Sequence, residues 1–563
     1  MKKTYKPYYL VLFVLISVCS GLKSQNPFVD AAGERIEVCT DRSTYISGEK
    51  VLFSAVIFNH TDHFTEPFSR VFYCELITPD GNRIAGGKYL LQNFTGQGSL
   101  TIPEETISGI YFLKFYTRFM RNISTDEYTY IILKIINPFK TEVLSGSDVL
   151  DTTNLAWNPM EVQTDDKSLN ILSGKKSFSP REEIRLDIRV NIEKGLPAAL
   201  CLSVIPEFTY NELFFPFKST PDQAKNGLYF PETRGISMSG QLIGKESGKP
   251  VPNANVYLSI IGDKDILVIN TDSTGRFFFA LPDYHGSKDI FLCAEDLPDI
   301  TPEILIDNDF CTKPVHLPSP LFTLNEEEMK AAYKLAVNSR ITSLFREDAM
   351  AGDSLGEEIN ASFYGKPSEV LIMEKYIDLP TLEEYFTELT VMVKVKKSQG
   401  RKQFRFFTSQ AEMSMFDPLV LVDWVAVDDI EKILTMSPLD IDRIELVNAP
   451  YIKGNITYGG IISIVSKKND FAGIDLPTSG TFVNYRFLEA CTKIRPPDSL
   501  PVNIPDSRNT VYWNPSVQTN DAGAASISFP APDTPGNYLI LLRRITPAGE
   551  VLVVKKVIEV MGH

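Results

Sequence analysis

Displaced by 133 residues, the sequence falls on itself. Tyr45-Ile46-Ser47-Gly48-Glu49-Lys50-Val51 aligns with Phe178-Ser179-Pro180-Arg181-Glu182-Glu183-Ile184, and alternating apolar residues continue to Val190. Each copy is an aromatic residue, a turn and then a strand whose period of two sends every second side chain to one face. Such a strand needs a second layer to bury that face, so the repeat commits much of the chain to β-sandwiches.

The surrounding residues agree. Ile36 and Val38 alternate with polar neighbours, as do Val51, Phe53 and Ala55, while Phe72 to Ile77 ends at the turn Pro79-Asp80-Gly81. These strands predict a sandwich over residues 30–138 and a second over 168–233, the latter ending in an aromatic, proline-rich extended segment from 207. Residues 139–167, rich in Ser, Asp, Thr and Asn, read as a linker. Strand patterning returns from Arg508 to Val560, where Gly536 and Tyr538 repeat the Gly-x-Tyr-apolar spacing of Gly109 and Tyr111. A third sandwich is expected over 500–563.

The string TDRSTYISGEKVLFSAVI, Thr40 to Ile57, resembles the opening of a macroglobulin-type domain, and SGIYFLKFYTRFMRN, Ser108 to Asn122, is similar to later strands of such domains in cell-surface proteins of Bacteroidota. The resemblance implies tandem macroglobulin- or immunoglobulin-like sandwiches. Over residues 234–300, GISMSGQLIGKESGKPVPNANVYLSI followed by DSTGRFFFALPD gives strand, hairpin, strand, turn and strand. That pattern resembles the carboxypeptidase regulatory-like domain, a small sandwich without catalysis of its own. Residues 301–362 then read as a linker containing a helix over 323–345, with Glu326, Glu327 and Glu328 in its first turn and Met329, Ala332, Tyr333, Ala336, Val337 and Leu344 as its apolar face.

From Phe416 to Lys468 the pattern is mixed. Pro418 to Val422 is a short apolar strand, Asp428 and Asp429 open a helix carrying Ile430, Ile433 and Leu434, and Ser437, Pro438 and Asp440 mark a second helix start. Arg443 to Val447 and Ile461 to Val465 are strands, separated by the turn at Tyr458-Gly459-Gly460. The strings LVLVDWVAV, DIDRIELVNAP and YGGIISIVSK look like the plug domain of TonB-dependent outer-membrane receptors, with Trp424 where a glycine is usual. With its approach from Phe363, the plug-like domain covers 363–470. Receptors of that kind carry their own barrel of about 22 strands, each roughly 9 to 11 residues long. Only 95 residues follow Lys468, so the expectation is a plug-like domain without a barrel.

At the N-terminus, Lys2, Lys3 and Lys6 precede an apolar segment, Leu10 to Val18, then Ser20 and Gly21. This is the layout of a signal peptide over residues 1–24, with an apolar part too short to span a bilayer, and it predicts export. Cleavage near Gln25 is one route. Lipidation of Cys19 is the other, although Val18 stands where that consensus has a small residue. The remaining cysteines are Cys39, Cys74, Cys201, Cys293, Cys311 and Cys491. Cys39, Cys74 and Cys201 lie in strand-like runs and read as buried thiols, whereas Cys293 and Cys311 are candidates for a pair.

A search for chemistry returns little. The chain has 71 acidic and 56 basic residues, a balance that argues against a nucleic-acid partner. There are five histidines and no HExxH, GxSxG, Walker or dinucleotide fingerprint. His60 and His63 flank Asp62 without an evident third ligand. Asp423, Asp440, Asp442 and Glu445 read as caps and strand-end acids. No cysteine is followed by Gly-Glu-Gln, the thioester that covalent macroglobulin traps need. Ser354, Ser499 and Thr152 lie in short Asp-Ser or Asp-Thr motifs that resemble bacterial O-glycosylation sites. No catalytic, cofactor or metal residue is assigned. The sequence therefore predicts a mainly β, exported, non-enzymatic envelope protein whose plug-like domain docks on an outer-membrane barrel protein; the alternatives are ligand capture for an outer-membrane transport complex, and an enzyme.

Overall fold

The computed structural model describes residues 33–59, 68–146, 161–163, 169–191, 199–210, 229–297, 299–315, 317–319, 321–346, 362–376, 378–398, 400–407, 415–454, 456–490, 505–546 and 551–562. The expected signal peptide with Cys19, the His60, Asp62 and His63 group, Cys491, and Thr152, Ser354 and Ser499 lie outside the described residues. The chain is mainly β and divides into two compact units. One holds residues 1–233, 312–350 and 489–563, the other 234–311 and 351–488.

The first unit begins with the expected sandwich. Its strands run in the order Glu34–Thr40, Lys50–Asn59, Thr95–Thr101, Arg83–Gln92, Val71–Ile77, Gly109–Thr117, Thr129–Ile136 and Thr44–Ile46. An aromatic core forms where Phe53 meets Tyr89 and Phe115 edge-on at 4.9 and 5.2 Å, while Phe72 stacks on Tyr89 at 5.4 Å. Glycines weaken a strand, yet here they make room: a Cβ on Gly96 would sit 2.3 Å from the Phe72 ring.

The 133-residue repeat is visible as geometry. In the first copy the Glu49 carboxylate accepts the Ile46 N–H at 2.9 Å; in the second, Glu182 accepts the Ser179 N–H at the same distance. Gly48 and Arg181, at equivalent places, both have positive φ, 87° and 63°. The short aromatic strand pairs in parallel with the last strand of its sandwich in each copy, Tyr45 opposite Ile135 and Phe178 opposite Val560.

That last pairing corrects the expected domain division. Residues 168–233 and 500–563 do not make two sandwiches. Glu183–Val190 pairs with Ala524–Pro530, and Ala199–Pro206 with Gly536–Ile545, which in turn pairs with Val551–Val560. The physical reason is closure. Leu169–Ser173 and Glu183–Val190 bury one apolar face, Ile171, Ile184, Leu186 and Ile188, and that face is covered by Tyr538, Ile540 and Leu542 from the end of the chain. Everything between is an insertion into one sandwich. The expected linker contributes as well, since Glu161–Gln163 pairs in parallel with Val551–Val560.

The helix Glu326–Arg346 starts with a reciprocal cap: Asn325 Oδ1 accepts the Glu328 N–H at 2.8 Å, and Glu328 accepts the Asn325 N–H at 3.1 Å. Its buried face differs from the expected one. Ala332, Leu335 and Ala336 pack on Ile46 and Ile136, while Tyr333, Val337 and Leu344 are exposed. Small residues let the helix approach the sandwich closely, and the bulkier stripe turns outward.

In the second unit, Ser237–Gly244 pairs with Arg276–Ala280 and Pro302–Ile306, facing a sheet of Ile266–Asn270, Asn255–Ile260, Ser287–Ala294 and Thr481–Arg486. The last of these strands comes from beyond the expected boundary at 300. Between its strands sits the α+β part. Its sheet runs Glu369–Ile372, Ile441–Val447, Ile461–Ser466, Leu419–Val422 and Val425–Ala426, with Leu419–Val422 parallel to Ile461–Ser466. The helix Ile430–Leu434, the turn Tyr385–Leu389 and the hairpin Val393–Ser398 with Arg401–Phe406 cover one face. The expected second helix is a single turn, Pro438–Asp440.

Candidate functional site

The α+β sheet is buried on both faces. On one side Val420, Val422, Ile444, Leu446, Ile462 and Ile464 meet Phe386, Phe404 and Ile433. On the other, Leu419, Leu421, Val425, Ile461 and Val465 meet Tyr257, Ile266, Val268, Phe291 and Cys293 of the smaller sandwich. This explains the apolar string LVLV and the string IISIV, apolar but for the buried Ser463, because a strand covered on both sides has no polar face to alternate with.

The turn Asp423-Trp424 lies at the seam. Both residues have positive φ, 43° and 69°, and link Leu419–Val422 to Val425–Ala426 as a two-residue hairpin of the primed kind. A glycine would take this backbone freely, whereas Trp424 is held there by contacts. Its ring stacks on Tyr364 at 5.7 Å, and its carbonyl accepts the Ser259 hydroxyl at 3.0 Å. Asp423 secures the other side of the turn, accepting the Ser466 N–H at 2.7 Å, the Ser466 hydroxyl at 2.5 Å and the Phe471 N–H at 2.8 Å.

The remaining acids of the stretch are dispersed. Glu445 accepts the Tyr364 hydroxyl and the Arg443 Nε, both at 2.7 Å, and Asp442 accepts from Arg443 at 2.8 Å. Asp440 belongs to the single helical turn, with its carbonyl accepting the Lys467 N–H at 2.9 Å. Among the described residues no three His, Cys, Asp or Glu side chains converge as a metal-holding group. Cys293 and Cys311 are not joined by a disulfide, which corrects the candidate pair: Cys293 is committed to the seam, 3.9 Å from the Ala426 carbonyl. Burial pushes its thiol well above the usual range.

One acidic group at this seam went unnoticed in the sequence. Asp428, just outside the cap made by Asp429, comes close to Glu295 and Asp296 and to the buried Tyr257 and Tyr458. Loss of hydration, and then the Glu295 and Asp296 charges, push the Asp428 carboxyl up, while its outer edge stays open to solvent and tempers the effect. Local spacing could not signal the group, because Asp428 lies more than a hundred residues from Glu295 and Asp296. On the neighbouring hairpin, a Cβ on Gly454 would sit 2.1 Å from the Val268 carbonyl, and Lys453 pairs with Asp265 at 2.6 Å. The chemistry of the seam is cohesion: hydrogen bonds, stacked rings and ion pairs are spent between protein groups.

The first unit holds a comparable buried network. Arg42 pairs with Glu49 at 2.8 Å, Tyr45 donates to Asp41 at 2.6 Å, Thr510 donates to Asp41 at 2.5 Å, and Asn509 donates to Glu49 at 2.7 Å and to the Leu335 carbonyl at 2.9 Å. It ties the first sandwich to the helix and to the second sandwich.

No family model matches the sequence, and no curated protein does. Among solved structures, the chain is similar to Salmonella alpha-2-macroglobulin at 8% identity and TM-score 0.24, covering 94% of this chain and 40% of that one. It is similar to Escherichia coli alpha-2-macroglobulin activated by porcine elastase at 10% identity and TM-score 0.23, covering 94% and 44%. The chain thus spans less than half the length of those proteins. Its own strand pairings carry the β-sandwich description.

Proposed function

We propose that this protein is a non-enzymatic scaffold of the bacterial envelope that engages an outer-membrane β-barrel protein through its α+β part. The observation behind this reading is the covering of the plug-like sheet on both faces within its own unit. A domain packed in this way is carried rigidly by the sandwich beneath it. Contact with a partner then falls to its edge strand Glu369–Ile372 and its hairpins, not to the sheet faces. Covalent trapping of proteases is disfavoured by the missing Cys-Gly-Glu-Gln string.

The test is a mild-detergent pull-down of the tagged full-length protein from its own envelope, with mass spectrometry of the eluate. Recovery of one β-barrel protein in near-equal amount is the expected result. Recovery of the chain alone, in the soluble fraction, overturns the reading.

A further inference from the structure

The hairpin Val393–Ser398 with Arg401–Phe406 stands apart electrostatically. The whole chain carries a net charge of −15, yet Lys394, Lys396, Lys397, Arg401, Lys402 and Arg405 lie within this one hairpin with no acid between Val391 and Phe407. The register makes the crowding worse. Lys394 stands directly opposite Arg405, and Lys397 opposite Lys402, two like-charge pairs across one short ribbon. Such pairs oppose strand pairing.

The two faces of the ribbon differ. Val393, Phe404 and Phe406 point into the core, where Phe404 meets Phe386 at 4.6 Å. The other face carries Lys394, Lys396, Arg401 and Arg405. Two cations are compensated by neighbours, Lys402 by Glu383 and Arg405 by Asp417, both at 2.6 Å. Lys394 bonds the Thr387 and Thr390 carbonyls. Lys396, Lys397 and Arg401 are exposed, and no ion pair joins them to another described residue. Exposed apolar residues gather beside the ribbon: Val391 at 79% and Phe407 at 51% at its open end, and Met415 at 73% and Phe416 at 41% just before Asp417, the exposed ion partner of Arg405. Lys396 lies 4.9 Å from the Phe407 ring, so cation and apolar surface are contiguous.

We infer that this hairpin docks on an anionic lipid surface, with Lys396, Lys397 and Arg401 meeting lipid phosphates and Val391, Phe407, Met415 and Phe416 entering the interfacial layer. Charge complementarity calls for a polyanion. The exposed apolar group beside the cations favours a bilayer over an acidic protein segment, because it gains only where there is a hydrocarbon boundary to enter. The inference is independent of any barrel partner.

The experiment is co-sedimentation of the purified full-length protein with vesicles of phosphatidylcholine alone and of phosphatidylcholine mixed with phosphatidylglycerol. Wild type is expected to bind the mixed vesicles, to release from them in high salt, and to leave the neutral ones unbound. Each basic residue near such a surface contributes on the order of 1 kcal/mol, so the triple variant Lys396→Gln, Lys397→Gln, Arg401→Gln should weaken partitioning about 100-fold. All three side chains are exposed, so the variant keeps its fold, checked by circular dichroism. Equal binding to both vesicle types, no binding to either, or undiminished binding by the triple variant would each overturn the inference. So would preference for soluble polyglutamate over the mixed vesicles, which would point to an acidic protein partner instead.

Discussion

Tyr538 donates its hydroxyl to the carbonyl of Thr534 at 2.7 Å, four residues upstream, as Tyr111 does to Ile107 at 3.0 Å in the other sandwich. This corner fixes where the penultimate long strand of each sandwich begins. Replacing Tyr538 by Phe leaves the ring and removes the bond, at a cost of about 1 kcal/mol. Tyr111→Phe should cost about the same. Urea unfolding of the two variants checks both, and a neutral result at either would mean the corner is incidental.

The pairing of the chain's end with residues 169–206 makes a sharper prediction. A chain ending at residue 504 lacks Ala524–Pro530, Gly536–Ile545 and Val551–Val560, so Glu183–Val190 and Ala199–Pro206 lose their sheet neighbours, and Ile184, Leu186 and Leu202 lose Tyr538, Ile540 and Leu542 from their core. Limited proteolysis should then cut rapidly within 169–206 while the full-length chain resists. Equal resistance in both chains would show the early strands to be self-sufficient.

Individual strands were legible in the sequence because their signals are local. Ile36, Val51, Phe53 and Tyr45 declare their faces by period two, and the copies at 45 and 178 declare each other. Which strands share a sheet was not legible. Ile184 needs Tyr538 and Ile540 as neighbours, and nothing within reach of Ile184 names residues some 350 positions away. The double burial of the α+β sheet was half written in LVLV and IISIV, since near-continuous apolar runs imply two covers without saying what the second one is. The seam acid Asp428 was read as a helix-start residue because its neighbours Glu295 and Asp296 arrive only through tertiary packing.

Arg42 sits between Asp41 and Glu49, all three nearly inaccessible. Arg42→Ala removes one cation and leaves two buried carboxylates facing each other. Removing one partner of a buried pair costs about 3 to 5 kcal/mol. Because Thr510 and Asn509 belong to the same network, the loss should be seen as a single cooperative shift of the unfolding midpoint. A change below about 1 kcal/mol would mean water reaches the site.

Glu37 gives the protein a pH dependence of definite sign. Burial pushes its carboxyl up to about 7, against the opposing effect of Arg35 at 2.5 Å. Burial likewise raises Asp41 and Glu34. A carboxyl whose folded pKa lies above its unfolded one binds its proton more tightly when folded. Its contribution to stability is fully present below the unfolded value of 4.5 and is lost as pH rises through about 7. Denaturation midpoints should therefore fall from mildly acidic to mildly alkaline buffer, and Glu37→Gln should flatten part of that slope. A midpoint rising with pH would contradict the assignment.

Trp424 separates two opposing effects at one position. Its left-handed backbone costs about 1 to 2 kcal/mol relative to glycine, while its stacked, nine-tenths buried ring contributes more than that. Trp424→Ala keeps the backbone strain and forfeits the packing against Tyr364, a loss of about 3 to 5 kcal/mol. Trp424→Gly forfeits the same packing but relieves the strain, so it should be the milder of the two by about 1 kcal/mol. Thermal or urea unfolding of the pair decides the matter by order alone. If alanine proves no worse than glycine, the turn is not under backbone strain, and the tryptophan is retained for its contacts only.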